Sequence, residues 1–212
     1  KLNEKGVKVL YVTLGDLVER DWIVRLGAIY ANCSFAEAYN NRENIFYNLK
    51  KVTGDNLELS INPSGKVTST EIVDYALERD FEVVVVDYDA NHAGASDGTE
   101  DSGSSMYSNY GKIYSDYTRL SMKGRLELMC AQAKQAYWSG LIGLDGIGES
   151  KRKQETADFI VTISRTAPEC PNHVYTCYIP KARRGRVGTK EYVIRIEGTF
   201  FEIPFGVYQQ LA

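Results

Sequence analysis

The sequence has no long hydrophobic run, few cysteines and no glycine-rich phosphate-binding motif, and each absence narrows the range of functions. No apolar run approaches the roughly 20 residues needed to cross a bilayer, so we expect a soluble protein without a membrane partner. The 4 cysteines are widely spread and form no CxxC pair, which favours reduced thiols in the cytoplasm over a zinc site. The motif GxxxxGK followed by Ser or Thr does not occur. The chain therefore lacks the usual cradle for the β- and γ-phosphates of ATP.

What is present is the composition of one globular domain. Hydrophobic residues make up 43% and charged residues 25% of the 212 residues, which is average for a globular protein and sufficient for a full core. The net charge of −3 does not by itself predict nucleic-acid binding, but the charge is unevenly distributed. Residues 97–101 are mainly acidic, whereas a basic stretch near the carboxyl end contains Lys181, Arg183, Arg184, Arg186, Lys190 and Arg195.

Predicted strands and helices alternate through the first part of the chain. Apolar, β-branched runs predict strands buried in a parallel sheet, and apolar residues at helical spacing predict the helices between them. Residues 91–110 are rich in Gly, Ser, Asp and Asn and show no periodic pattern of apolar residues, which predicts a long mobile loop. A second polar loop is expected at 146–156. We expect strands at 6–14, 57–61, 81–88, 141–144 and 157–164, and helices at 16–30, 40–54, 69–79 and 114–138, the last with a break near Gly124.

The carboxyl-terminal part has a different pattern. Residues 174–179, 192–196 and 200–203 are typical of strands separated by turns, with no helices between them. Together these patterns predict an α/β fold, in which a mostly parallel sheet flanked by helices is followed by an antiparallel β-hairpin extension. We expect a single domain over 1–212, with a basic hairpin and edge strands at 180–203.

One acidic residue closes the most hydrophobic predicted strand. Asp87 follows Val83–Val86 directly, and polar groups at the carboxyl end of a buried parallel strand lie at the crevice where ligands bind. Asp87 is thus in position to hold the water shell of a Mg²⁺ ion beside a triphosphate. The alternative is that Asp87 only begins a turn.

Four segments carry a family resemblance. They are GVKVLYVTLGDLVERDWIVRLGAIYAN at 6–32, VVVVDYDA at 83–90, ADFIVTISR at 157–165 and KARRGRVG at 181–188. In this order and spacing they resemble the carboxyl-terminal motor domain of DnaB-type replicative DNA helicases of bacteria and phages. The resemblance implies a RecA-like P-loop NTPase core that binds ATP and Mg²⁺, assembles into a ring, expected as a hexamer, and translocates on single-stranded DNA. It begins where the family's phosphate-loop helix ends, so we expect a fragment, lacking the Walker A segment, of a cytoplasmic protein.

The basic segment at 181–188 resembles a hairpin whose cations reach the nucleotide site of the neighbouring subunit in that family. Lys181 and Arg183 match the family's Lys and Arg, whereas Arg184 stands where the family usually has Asn. The resemblance implies that these residues neutralise charge on the nucleotide during phosphoryl transfer. The alternatives are a solvated basic hairpin or one that contacts DNA phosphates.

Two further positions depart from the family's pattern. The catalytic Glu aligns with Gly15, which leaves Asp16 as the nearest general base, and a shorter carboxylate one residue along is a weak substitute. The Gln that senses the γ-phosphate aligns with Gly146, which leaves Asp145 as the nearby polar group. We therefore expect a parent protein that hydrolyses ATP with an altered or weakened site, and no ATPase activity from this chain alone.

DNA contacts are expected in loops that face the channel of the ring. Lys151, Arg152 and Lys153 are suitable partners for phosphates, and Tyr107 or Tyr110 could stack on bases. The alternative is that the basic triplet is a solvated loop tip. Two other functions remain open for the whole chain: a recombinase or clock-type RecA ATPase, and a catalytically degenerate scaffold or ring subunit.

Overall fold

The computed structural model describes residues 6–15, 19–31, 33–93, 103–134, 142–147, 151–165, 174–183 and 192–195. A four-stranded sheet has the order β2-β1-β3-β4, and a three-stranded sheet has the order β5-β6-β7. The strands are β1 Val9–Leu14, β2 Leu57–Asn62, β3 Val83–Asp87, β4 Leu126–Met129, β5 Phe159–Arg165, β6 Val174–Ala182 and β7 Tyr192–Arg195. The helices are α1 Glu19–Ala31, α2 Phe35–Asn40, α3 Arg42–Thr53, α4 Ser69–Glu78, α5 Gly103–Met122 and α6 Lys151–Thr156.

The four-stranded sheet is parallel throughout. Val9 of β1 is in register with Val83 of β3, which is in register with Leu126 of β4. β1 and β3 are the two central strands, and their hydrophobic character on both faces is what a buried parallel strand requires. The predicted strands at 6–14, 57–61 and 81–88 are therefore confirmed.

One face of this sheet is covered by α4 and α5. Its main cluster of buried side chains comprises Leu10, Val12, Leu14, Ile72, Val73, Ala76, Phe81, Val84, Val86, Tyr110, Ile113, Tyr114, Tyr117 and Leu120. Because alternate residues of a strand point to opposite faces, Leu10, Val12 and Leu14 all point to this core. α4 begins at a capping box, in which Thr68 accepts from the backbone of Glu71 and Glu71 accepts from the backbone of Thr68.

The long loop predicted at 91–110 is partly wrong, because α5 begins at Gly103. Residues 94–102 lie outside the described part of the chain. Tyr110, Ile113, Tyr114 and Tyr117 are buried at the spacing of one helical face. That spacing was masked in the sequence by Gly, Ser and Asn residues, which favour turns but tolerate a helix once its apolar face packs.

The helix predicted at 114–138 is also corrected. α5 ends at Met122, Gly124 adopts a positive φ of 73°, and the chain turns into β4. Since β4 occupies the position beside β3, the strand predicted at 141–144 does not form among the described residues 142–147. Leu144–Gly146 is instead a short 3₁₀ turn. Residues 151–156, predicted as part of a loop, form α6.

The carboxyl-terminal strands confirm the predicted antiparallel extension, but the strand expected at 157–164 in the parallel sheet forms as β5 in this antiparallel sheet instead. β5 pairs with β6 and β6 pairs with β7, both in antiparallel register. The strand predicted at 200–203 lies outside the described residues. Among the helices that the structure describes, none combines the length and the apolar character that crossing a membrane requires.

Candidate nucleotide-binding edge

The carboxyl ends of β1 and β3 meet at one edge of the parallel sheet. Thr13 and Asp87 are in register at these ends, and Gly15 follows β1 and donates its backbone N–H to Asn62 at 3.0 Å. The backbone after β3 is fixed to the same edge, because the Asn91 side chain donates to the carbonyl of Leu14. Crevices at this edge of open α/β sheets are where ligands bind.

Asp87 is half-buried at this edge. Burial raises the pKa of its carboxyl above the ordinary value, although a hydrogen bond from the Tyr11 hydroxyl and the positive charge of Arg25 oppose the shift. A carboxylate that has lost part of its hydration is stabilised by a nearby cation. The chemistry of Asp87 therefore fits a Mg²⁺ ion.

The ligand set at the edge is small. Among the described residues, no group of three or more His, Cys, Asp and Glu side chains is arranged to hold a metal. Mg²⁺ commonly keeps several waters and is bound through one or two carboxylates together with substrate phosphates. Asp87, the carboxylate that the described residues place at the edge, is thus compatible with Mg²⁺ held jointly with a nucleotide.

The sheet face that carries Asp87 is only partly covered. On β1, Trp22 of α1 packs on Tyr11, with ring centroids 4.4 Å apart. Across the sheet, Tyr11 is in register with Val85, and Val85 with Leu128. Leu126 and Leu128 on this face of β4 are 51% and 48% exposed. An apolar face of a parallel sheet is normally covered by a helix, and the described residues leave Leu126 and Leu128 of β4 exposed on this side.

A polar residue overlooked at the sequence level follows β4. The expected γ-phosphate-sensing Gln was placed at Gly146 because a strand was predicted at 141–144. The strand after α5 is β4 instead, and Gln132 lies three residues beyond its end at Met129. Gln132 therefore follows a strand of the parallel sheet, whereas Gly146 lies in a 3₁₀ turn. The helix-terminating Gly124, followed by alternating Leu126 and Leu128, was the available signal for β4.

Gly146 and Asp145 lie in the 3₁₀ turn that follows. Gly146 is buried, and its carbonyl accepts from the backbone N–H of Lys134 at 2.9 Å. The Asp145 carbonyl accepts from the Lys134 ammonium at 2.9 Å. These contacts tie the turn that contains Asp145 to the segment that leaves β4.

Lys181 and Arg183 lie at the end of β6 and contact α6 of the same chain. Lys181 donates to the carbonyls of Gln154 and Glu155, and Arg183 donates to Glu155 and forms an ion pair of 3.0 Å with Asp158. Partial burial, followed by the charge of Arg183, lowers the pKa of Lys181. Asp16 and Arg184 lie outside the described residues, as does the side chain of Tyr107 in α5.

The three basic residues of α6 have different surroundings. Lys151 and Arg152 are exposed, whereas Lys153 is 3% exposed and its ammonium lies 2.6 Å from the carboxylate of Asp89. Tyr110 is 2% exposed beneath this ammonium. Lys153 and Tyr110 are thus packed inside the protein in this structure, and only Lys151 and Arg152 present charge to a partner.

Comparisons with known proteins bear on the fold. No family model and no curated protein matches the sequence. The structure is similar to the crystal structure of the RadB recombinase, with a TM-score of 0.55 and 15% sequence identity, over 92% of this chain and 78% of that chain. The chain therefore has a RecA-like fold, with a mostly parallel sheet flanked by helices and a separate antiparallel hairpin sheet.

Proposed function

We propose that this chain is part of an ATP-driven motor that forms a ring, expected as a hexamer, and translocates on single-stranded DNA, as replicative helicases of the DnaB type do. The observation that carries the proposal is the position of Asp87, at the carboxyl end of a central strand of a RecA-like sheet. Polar groups at this edge are the usual ligands of nucleotides in open α/β folds. The order of the sequence segments that resemble the helicase motor supports the same function.

Each residue of the edge has a proposed task. Asp87 holds the water shell of Mg²⁺, which when bound neutralises charge on the phosphates of ATP. Gln132 is proposed to contact the γ-phosphate, the role that the family's glutamine has. Asp16 is the proposed general base, because Gly15 offers no side chain, and Asp145 is a further polar group near the nucleotide.

The proposed motor requires a phosphate-binding loop in addition to the residues of this edge. Two observations support this requirement: the sequence contains no such motif, and the face of β4 with Leu126 and Leu128 is exposed. A helix that follows a phosphate-binding loop and packs on this face would bring its amino terminus toward Asp87, where backbone N–H groups bind phosphate.

The basic end of β6 is proposed to act on a neighbouring subunit. Lys181 and Arg183 donate to backbone carbonyls of α6, and Arg183 also forms an exposed ion pair with Asp158, which follows that helix. Exposed ion pairs contribute little stability, so Arg183 is available to a more highly charged phosphate group, and Lys181 is proposed to act beside it. Arg184 is proposed as a third cation of the same hairpin.

DNA is proposed to contact α6 through Lys151 and Arg152. Both are exposed, and each phosphate that a cation neutralises releases counterions and favours binding. Tyr107 is a candidate for stacking on a base. Lys153 and Tyr110 are buried, which favours a structural role for them over contact with DNA.

A recombinase function is the second candidate, and the similarity to the RadB recombinase favours it. The helicase proposal differs in requiring duplex unwinding coupled to hydrolysis. A strand-exchange assay that gives product without unwinding would replace the helicase with the recombinase. Gly15 supports a third candidate, a degenerate scaffold subunit, which binds nucleotide without hydrolysing it.

The first test of the proposal is Asp87→Ala in the protein extended upstream through the phosphate-binding loop. Loss of the carboxylate should abolish Mg²⁺-dependent turnover, because the cation loses its protein ligand. Asp74→Ala is the matched control, since Asp74 is an exposed carboxylate on α4 that pairs with Arg119 at 2.6 Å. Turnover that is unchanged by Asp87→Ala would remove Asp87 from the site.

A further inference from the structure

A buried ion pair connects the segment after β3 to α6. Asp89 lies two residues beyond Asp87 and is 0% exposed, and its Oδ2 lies 2.6 Å from the ammonium of Lys153. The Tyr114 hydroxyl donates to the same oxygen at 2.8 Å. The Lys153 ammonium also lies 4.5 Å from the ring centroid of Tyr110, within the range of a cation–π contact. Charged side chains are almost never buried so completely unless they are paired.

Asp89 is held firmly on the side of the parallel sheet. Its backbone N–H donates to the carbonyl of Cys130, after β4, at 3.1 Å. Nδ1 of His92 lies 2.7 Å from the Asp89 carbonyl oxygen, and Nε2 of His92 lies 2.9 Å from the Tyr117 hydroxyl. Burial lowers the pKa of His92, so the neutral ring donates to the carbonyl and accepts from Tyr117. The position of Asp89 is therefore determined by β4 and α5.

The other partner, Lys153, belongs to a helix of only six residues. A helix this short is not stable without tertiary contacts, so its position depends on what anchors it. Lys151 and Arg152 lie on its exposed side. Near its carboxyl end, the carbonyls of Gln154 and Glu155 accept hydrogen bonds from Lys181 and Arg183 at the end of β6.

We infer that the Asp89–Lys153 ion pair positions α6, and with it the exposed cations Lys151 and Arg152, relative to the nucleotide edge at Asp87. Lys153 is then a positioning residue and not a ligand of DNA. The role of the exposed cations in DNA binding rests on the proposed function, whereas the anchoring of α6 does not. The pair links the edge that binds nucleotide to the helix that binds DNA through two residues in direct contact.

The physical basis is the cost of an uncompensated buried charge. Within the described part of the chain, the second carboxylate oxygen of Asp89 already has no hydrogen-bond partner. Without the Lys153 ammonium the carboxylate has to gain water, and α6 has to move to admit it. Replacing both residues with apolar side chains of similar volume removes the charge and keeps the packing.

The test compares Lys153→Met with the double variant Asp89→Leu/Lys153→Met and with Lys151→Met. Hydrogen exchange of the α6 amides reports on anchoring, and fluorescence anisotropy with an oligo(dT) strand reports on DNA binding. We expect Lys153→Met to accelerate α6 exchange and to weaken oligo(dT) binding about tenfold, because misplaced cations release fewer counterions. The double variant should restore both to nearly the wild-type values. Lys151→Met should weaken binding without changing α6 exchange.

Each contrary result has a distinct meaning. A double variant that binds oligo(dT) as weakly as Lys153→Met would show that the ammonium itself contacts DNA, and would overturn the inference. Unchanged α6 exchange in Lys153→Met would also overturn it, with or without DNA binding. A wild-type chain that does not bind oligo(dT) at low salt would contradict the proposed function, while the exchange data would still decide whether the pair anchors α6.

Discussion

Glu127 provides a test of the fold through the pH dependence of stability. It lies in β4 and is in register with Val84, whose side chain is fully buried in the core under α5. Burial raises the pKa of Glu127 from 4.5 to about 7. Between these two pH values, the Glu127 carboxyl is therefore protonated in the folded protein and ionised in the unfolded chain. Stability should therefore fall as the pH rises from about 4.5 to about 7, and this group should add no further change above that.

The magnitude follows from the size of the shift. At about 1.4 kcal/mol for each pH unit, ionised Glu127 costs the folded state about 3 kcal/mol above pH 7. Glu127→Gln removes the charge but keeps a polar amide, so we expect a gain of about 2 kcal/mol at pH 8. In a protein of this size that gain raises Tm by roughly 4–8 °C.

The assay is urea denaturation followed by circular dichroism from pH 5 to pH 8. The difference in unfolding free energy between Glu127→Gln and wild type should grow with pH and level off above about pH 7. Glu78→Gln, at the exposed end of α4, is the control and should show no such growth. A difference that is constant across this range, or that shrinks as the pH rises, would refute the packing of the half-buried Glu127 carboxyl on the core side of β4.

Two further predictions concern packing and the neighbouring subunit. Gly27→Ala should destabilise the protein by about 1–3 kcal/mol, because a Cβ there would lie 2.4 Å from Ile45 Cγ2. Gly111→Ala is the control and should not destabilise the protein, since its Cβ has free space to 4.0 Å. Equal Tm values for the two variants would contradict the close approach of α1 and α3. Arg183→Ala in the extended protein should leave nucleotide binding unchanged and reduce ATP turnover only in assembled rings. Steady-state kinetics above and below the concentration at which rings assemble would measure this difference. An equally impaired monomer would rule out a role of Arg183 at the nucleotide site of a neighbouring subunit.

The central strands of the parallel sheet, β1 and β3, were predictable because they are hydrophobic on both faces. The valine run that ends at Asp87 identified both the central strand and the polar residue at its carboxyl end. These features depend on local sequence, in which side-chain pattern and backbone structure agree.

The pair between Asp89 and Lys153 could not be predicted in the same way. Three consecutive basic residues have the composition of a solvated loop, and nothing local distinguishes Lys153 from Lys151 or Arg152. Its burial depends on Asp89 and Tyr110, which are distant in sequence and meet Lys153 only when α5 and α6 pack together. Long-range pairing of this kind is set by tertiary structure, so the sequence alone does not show which of the three basic residues is buried.

The length of β4 explains the error around Gly146. A strand of four residues between a long helix and a polar segment gives a weak periodic signal, and the more apolar 141–144 was preferred. Pairing with β3 stabilises β4 in the folded protein. The polar residue that follows this strand is Gln132.

The most direct test of the motor function is ATP hydrolysis by the chain extended upstream through the phosphate-binding loop, measured with Mg²⁺ in the presence and absence of single-stranded DNA. The proposal predicts hydrolysis that depends on Mg²⁺ and rises when single-stranded DNA is added, and none from the 212-residue chain alone. Nucleotide binding without turnover, with or without DNA, would contradict the motor and favour a scaffold subunit.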